Sequence, residues 1–141
     1  MAAYDHRFSV LVIDGHAIND WADGTDVLQI NPSSDIGTLT EGINRSVFVS
    51  TNKNGAQLVI SLLQNSPDGK FLNDRLKSQA NLKTHSPLQA YYKDTVNGDE
   101  IKLINGWFTA KPAYVRGNGH NNMQYTITFE NEDRILTEGK Y

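Results

Sequence analysis

The sequence predicts a mainly β domain carrying one α-helix. Three observations point to it. Several segments alternate apolar and polar residues at a two-residue period, an Asn-Gly dipeptide joins two of them, and a single stretch carries helix-start signals with four-residue apolar spacing. At 141 residues the chain has the size of one compact domain with one core, residues 1–141.

The first strand is FSVLVI, in which Phe8, Val10 and Val12 share one face and Leu11 and Ile13 the other. A strand apolar on both faces needs cover on both, from a helix, a second sheet or a neighbouring subunit. DWADGTDVLQINP, residues 20–32, follows and raises the question of a calcium loop. An EF-hand places oxygen ligands at alternating positions, glycine at the sixth and glutamate at the twelfth. Counted from Asp20, the third position is Ala22, the sixth Thr25 and the twelfth Asn31, so the pattern fails. The stretch reads instead as a turn at Asp23-Gly24 leading into a strand at VLQI. Residues 31–46, NPSSDIGTLTEGINRS, have few large apolar groups and read as one long connection without structure of its own, a length that usually signals function.

AQLVISLL is a second strand apolar on both faces, with Leu58, Ile60 and Leu62 against Val59 and Leu63. The helix comes next. Ser66 is its candidate N-cap and Pro67 its first residue, Leu72, Leu76 and Ala80 follow at four-residue spacing with Phe71 beside them, and the span predicted is about 67–81. Gly69 weakens the first turn by up to ~1 kcal/mol relative to alanine. Asp74, between Lys70 and Lys77, gives the outer face modest ion-pair support. LQAYYK and EIKLIN then read as a hairpin across Asn97-Gly98. The last strand is the clearest: in MQYTITFE, Met123, Tyr125, Ile127 and Phe129 form one face and Gln124, Thr126, Thr128 and Glu130 the other.

Composition narrows the function. With 38% hydrophobic and 21% charged residues the chain is too ordinary for disorder and too polar for a membrane protein, and no apolar run reads as a membrane span or signal peptide. The default expectation is therefore a cytoplasmic protein. The absence of cysteine excludes disulfides, thiolate metal sites and cysteine nucleophiles, and leaves stability to packing. Thirteen basic against 16 acidic residues give a net charge of −3, with no basic run of the kind that grips nucleic acid. His6, His16, His85 and His120 share no metal-ligand spacing. Asp14-Gly15-His16 imitates part of a catalytic group without a nucleophile elbow, and reads as a turn. RGNGHNN, around Gly117 and Gly119, precedes a strand rather than the helix a phosphate loop requires, and reads as a hairpin tip. Tyr91, Tyr92, Trp107, Phe108 and Tyr114 fall on predicted strands, which favours core packing over a sugar- or base-stacking platform. No catalytic residue, metal ligand or cofactor site emerges.

The order of elements carries a resemblance. An early strand ends in DG, then come HAINDWADGTDVLQINP, a long polar loop, paired strands, LLQNSPDGKFLNDRL leading into the helix, and strands to the end. Over essentially its whole length, and most in IDG...W.DGTDVLQINP and LLQNSPDGKFL, the chain resembles the small tail tube proteins of contractile-tailed bacteriophages. That resemblance implies a β-sandwich or half-barrel with one flanking helix. It also implies strands joined across subunits in hexameric rings that stack into a hollow tube for genome delivery. The protein would then reside in the virion tail after assembly in the host cytoplasm, with copies of itself, a sheath, baseplate and terminator proteins as partners. DNA would pass through the lumen without specific binding. Two physical points agree: a closed ring removes the exposed sheet edges, and a negative ring repels phosphates. The segment 31–46 becomes the expected contact with neighbouring subunits or the next ring, through Asp35, Ile36, Leu39, Glu41, Ile43 and Arg45. Removing residues 34–43 is then expected to leave a folded monomer that does not polymerise. Three other readings remain: a terminator or baseplate ring protein of the same fold, a monomeric carbohydrate- or protein-binding β-sandwich, and an enzyme built on His16 or His85 beside a shifted carboxylate.

Overall fold

A computed structural model describes residues 9–23, 26–33, 35–51, 54–119 and 121–138. His6, Phe8, His120 and the Gly24 half of the expected Asp23-Gly24 turn lie outside the described residues. Within them the chain forms β1 (Ser9–Ile13), β2 (His16–Ala17), β3 (Leu28–Pro32), β4 (Gly37–Glu41), β5 (Ser46–Ser50), β6 (Ala56–Leu63), α1 (Pro67–Ser78), β7 (Leu88–Asp94), β8 (Glu100–Ala110) and β9 (Asn122–Ile135). The fold is mainly β, with a single helix among the described residues, as the alternation predicts.

Seven strands form one antiparallel sheet in the order β2-β1-β7-β8-β9-β6-β3. Its register follows from burial. Tyr125, Ile127 and Phe129 of β9 stand opposite Ile60, Leu58 and Ala56 of β6, and all six are buried. The same face carries Leu11 and Ile13 of β1, Leu88 and Ala90 of β7, and Ile101, Leu103 and Phe108 of β8. Shifting any of these strands by one residue would turn its apolar set to the outside. Leu28 and Ile30 of β3 share a small cavity with Tyr92 and Ile101, so the curled sheet brings its β3 edge back over β7 and β8. The outward residues of the two strands read as apolar on both faces are only partly covered: Val12 and Val59 are half-buried, Val10 and Leu63 exposed.

The helix closes the concave side. Ser66 is extended and its hydroxyl accepts from the Gly69 N–H, with Pro67 in the first turn, as its sequence signals require. Leu72 is fully buried in the core, and Phe71 and Leu76 pack against it. The helix ends at Ser78, three residues before the predicted end, with Gln79 as its C-cap. The Gln79 side chain instead bridges to the sheet, donating to the Phe108 carbonyl at 2.9 Å and accepting from the Phe108 N–H at 2.7 Å.

The β7–β8 hairpin turns where Asn97-Gly98 predicts, with Gly98 at φ 94°. The Asp94 carboxylate receives the N–H groups of Val96 and Asn97 and the Asn97 amide. Burial alone would raise the Asp94 pKa, and these donors hold it below the usual carboxylate value.

Residues 31–46 are not a featureless connection. Asn31 and Pro32 end β3, and Gly37–Glu41 form β4, which pairs with β5 as a separate two-stranded ribbon. Threonine and glycine dilute its apolar alternation, so its strand character comes from pairing with the segment that follows. Tyr114 also departs from expectation: it lies in the β8–β9 connection, not on a strand, and is exposed.

Candidate assembly surface

The β4–β5 ribbon begins at a closed base. The Thr51 N–H donates to the Ile36 carbonyl at 3.1 Å and its hydroxyl to the Asp35 carbonyl at 2.6 Å. At the tip, the Gly42 N–H donates to the Arg45 carbonyl at 2.8 Å. Register places Leu39 directly opposite Phe48 on one face, and Thr38, Thr40, Val47 and Val49 on the other. Phe48 lies across Gly37, where a Cβ would come within 2.3 Å of its ring. The residues singled out from sequence are therefore brought onto one projecting element: Asp35 and Ile36 at its base, Leu39 and Glu41 on β4, Ile43 and Arg45 at its tip, all exposed. Val47, Phe48 and Val49 were missed because they lie just past residue 46 and are exposed too. The short run of β-branched and aromatic residues in SVFVS, bounded by serines, is the signal that marks them. Two strands alone are marginal in water, and this pair exposes aliphatic and aromatic side chains on both faces.

Beside the start of α1 lies an open groove of about 620 Å³. Pro67, Tyr114, Met123 and Tyr125 give it apolar walls, and Lys70 and Asn73 stand on its helical side. Tyr125 fixes the floor, its hydroxyl donating to the Gly69 carbonyl at 3.1 Å. One wall is held by Gln64, whose amide donates to the Val115 carbonyl at 3.1 Å.

On another side of the same helix, His16, Asn19 and Asp20 converge on Asp68. Its carboxylate accepts from His16 Nε2 at 2.6 Å and from the Asn19 and Asp20 N–H groups at 2.6 and 2.8 Å. The Asp68 N–H returns to the Asp20 carboxylate at 3.2 Å, and the His16 ring stacks on Phe71 at 4.2 Å. Burial would raise the Asp68 pKa, but the Asn19 and Asp20 N–H groups and His16 together hold it below the usual value. A carboxylate kept ionised by three donors is a fixed acceptor, and the cluster clamps the segment after β2 to the helix. Asp14 does the same about two turns further along the helix, pairing with Arg75 at 2.5 Å and accepting the Gln89 N–H at 2.9 Å. His85 is buried against Trp107 with Nδ1 3.1 Å from the Ser78 hydroxyl, and burial, reinforced by the Arg75 charge, pushes its pKa below the usual imidazole value.

No protein-family model matches the sequence, and no curated protein matches it. Structure does find a likeness: the chain superposes on the anti-feeding prophage cap, the AFP tube terminating cap, solved by cryo-EM. The two share a fold. The TM-score is 0.61, with 97% of this chain and 93% of that chain covered at 7% sequence identity. At that identity the likeness concerns architecture.

Proposed function

We propose that this chain is a structural subunit of a phage-type tail, forming hexameric rings that stack into a hollow inner tube through which a genome passes. The observation that carries the reading is the fold shared, over nearly the full length of both chains, with a tube terminating cap. Three features support it. The apolar ribbon projects from the domain and needs a partner surface. Among the described residues, β3 at one end of the sheet pairs with β6 on one side, and at the other the two-residue β2 pairs with Val12 and Ile13 of β1, followed by the Ile18 N–H on the Leu11 carbonyl. Such edges favour joining sheets between subunits. A charge of −3 per copy gives a ring that repels DNA phosphates. The role is structural and calls for no catalytic residue or cofactor. Sheath, baseplate and terminator proteins are its natural neighbours.

The cap likeness itself favours a second reading, a terminator that forms one ring and stops. Negative-stain electron microscopy over a concentration series, with light scattering on the same samples, separates the two. Hollow filaments with a central channel are the expected result, and single rings that never stack assign the terminator role. A strictly monomeric protein at every concentration overturns both and leaves a monomeric binding module.

A further inference from the structure

We infer that the groove beside the N-terminus of α1 receives the β4–β5 ribbon of a second copy of this chain, with Leu39 and Phe48 as the inserted pair. The inference rests on the ring-forming reading and names the contact that builds it. Two unsatisfied surfaces of opposite shape occur on one molecule. The ribbon is convex and carries Ile36, Leu39, Ile43, Val47, Phe48 and Val49 in water. The groove is concave and is lined by Pro67, Tyr114, Met123 and Tyr125. At about 620 Å³ it has the size of sites that enclose several large apolar groups.

Register and charge select the face. Leu39 and Phe48 are direct cross-strand partners, so they enter together, and Phe48 is held over Gly37 before any partner arrives. Glu41 lies two residues beyond Leu39 on the same face of β4. Among the described residues, the groove's one charged lining residue is Lys70, which is exposed and of opposite sign. With Leu39 and Phe48 seated, Glu41 is the ribbon carboxylate placed to meet Lys70. The opposite face, with Thr38, Thr40, Val47 and Val49, offers no charge. Ribbon and groove are different patches, so the contact is head-to-tail and repeats from copy to copy until a ring closes or a stack ends.

The absence of cysteine makes the test clean. A chain carrying Leu39→Cys and Asn73→Cys should, on mild oxidation, give a ladder of linked copies. Thr38→Cys in place of Leu39→Cys, on the other face, should link at least about tenfold less. Independently, Glu41→Lys and Lys70→Glu should each raise the concentration needed for assembly by about tenfold, and the two together should restore it. Assembly that proceeds without Leu39–Asn73 links and is indifferent to both charge reversals overturns this contact and leaves the ring reading standing. Equal linking from both ribbon faces overturns the assigned orientation. No assembly of the unmodified protein under any condition overturns the ring reading and this inference with it.

Discussion

Phe129 is, after Tyr125 on the same strand, the largest fully buried side chain of the core, and its place depends on a residue that has no side chain. A Cβ at Gly106 would fall 2.4 Å from the Phe129 ring. The neighbouring Asn105 is left-handed at φ 58°, and the β7–β8 register shifts there, so a bulge delivers Gly106 under the ring. Gly106→Ala should lower stability by about 1–3 kcal/mol in denaturant unfolding, because the ring must leave its rotamer or the strand must move. Gly117→Ala, where a Cβ meets nothing within 4 Å, should change it by less than about 0.5 kcal/mol. Equal effects of the two substitutions would show that the close approach is relieved at no cost. The alternation in MQYTITFE locates Phe129 as a core residue from sequence alone. The need for glycine at 106 is not legible there, because it arises from a strand bulge and from the register between β8 and β9.

At the scale of the element, α1 is held at both ends by carboxylates that the sequence presents as ordinary polar residues. Helix existence, its Ser66 cap and its apolar stripe were readable because they depend on neighbours within four residues. The Asp68 clamp was not, since its partners lie 48 to 52 residues earlier in HAIND. Asp68→Ala would leave two backbone N–H groups without their acceptor and should cost about 1–3 kcal/mol at neutral pH. The pH dependence has a definite sign. The Asp68 pKa is lowered in the folded protein from an unfolded value near 3.8, so the folded state binds the proton less tightly than the unfolded one. Its contribution is complete above that value and disappears as pH falls through the lower, folded one. The gap between the parent and Asp68→Ala proteins should therefore be full well above pH 3.8, narrow as pH falls below it, and close once pH has passed the lower, folded value. A constant gap across the acid range would assign the loss to packing of the side chain rather than to the ionised carboxylate.

At the scale of the whole molecule, the fold divides into a domain that packs itself and a ribbon that does not. The buried cluster draws on β1, β6, β7, β8, β9, the segment after β2 and α1, and β4 and β5 contribute no residue to it. Burial therefore leaves its period in the strands of the domain, which is why their sequence shows them. In the ribbon no burial imposes such a period, because its large apolar residues are exposed in the single copy. The base of the ribbon is already closed, with the Thr51 N–H on the Ile36 carbonyl. Excision of residues 34–43 would strand β5 without its partner, so the sharper variant replaces residues 37–50 by an Asn-Gly turn that keeps this base. The domain should retain its melting temperature to within about 3 °C, since a change of ~1 kcal/mol would move it by about that much or more. The same protein should stay monomeric by light scattering at concentrations where the intact chain assembles. Loss of the melting transition would place the ribbon inside the folding unit. A variant that melts as the parent does and still forms rings would move subunit recognition to the sheet edges at β1 and β3.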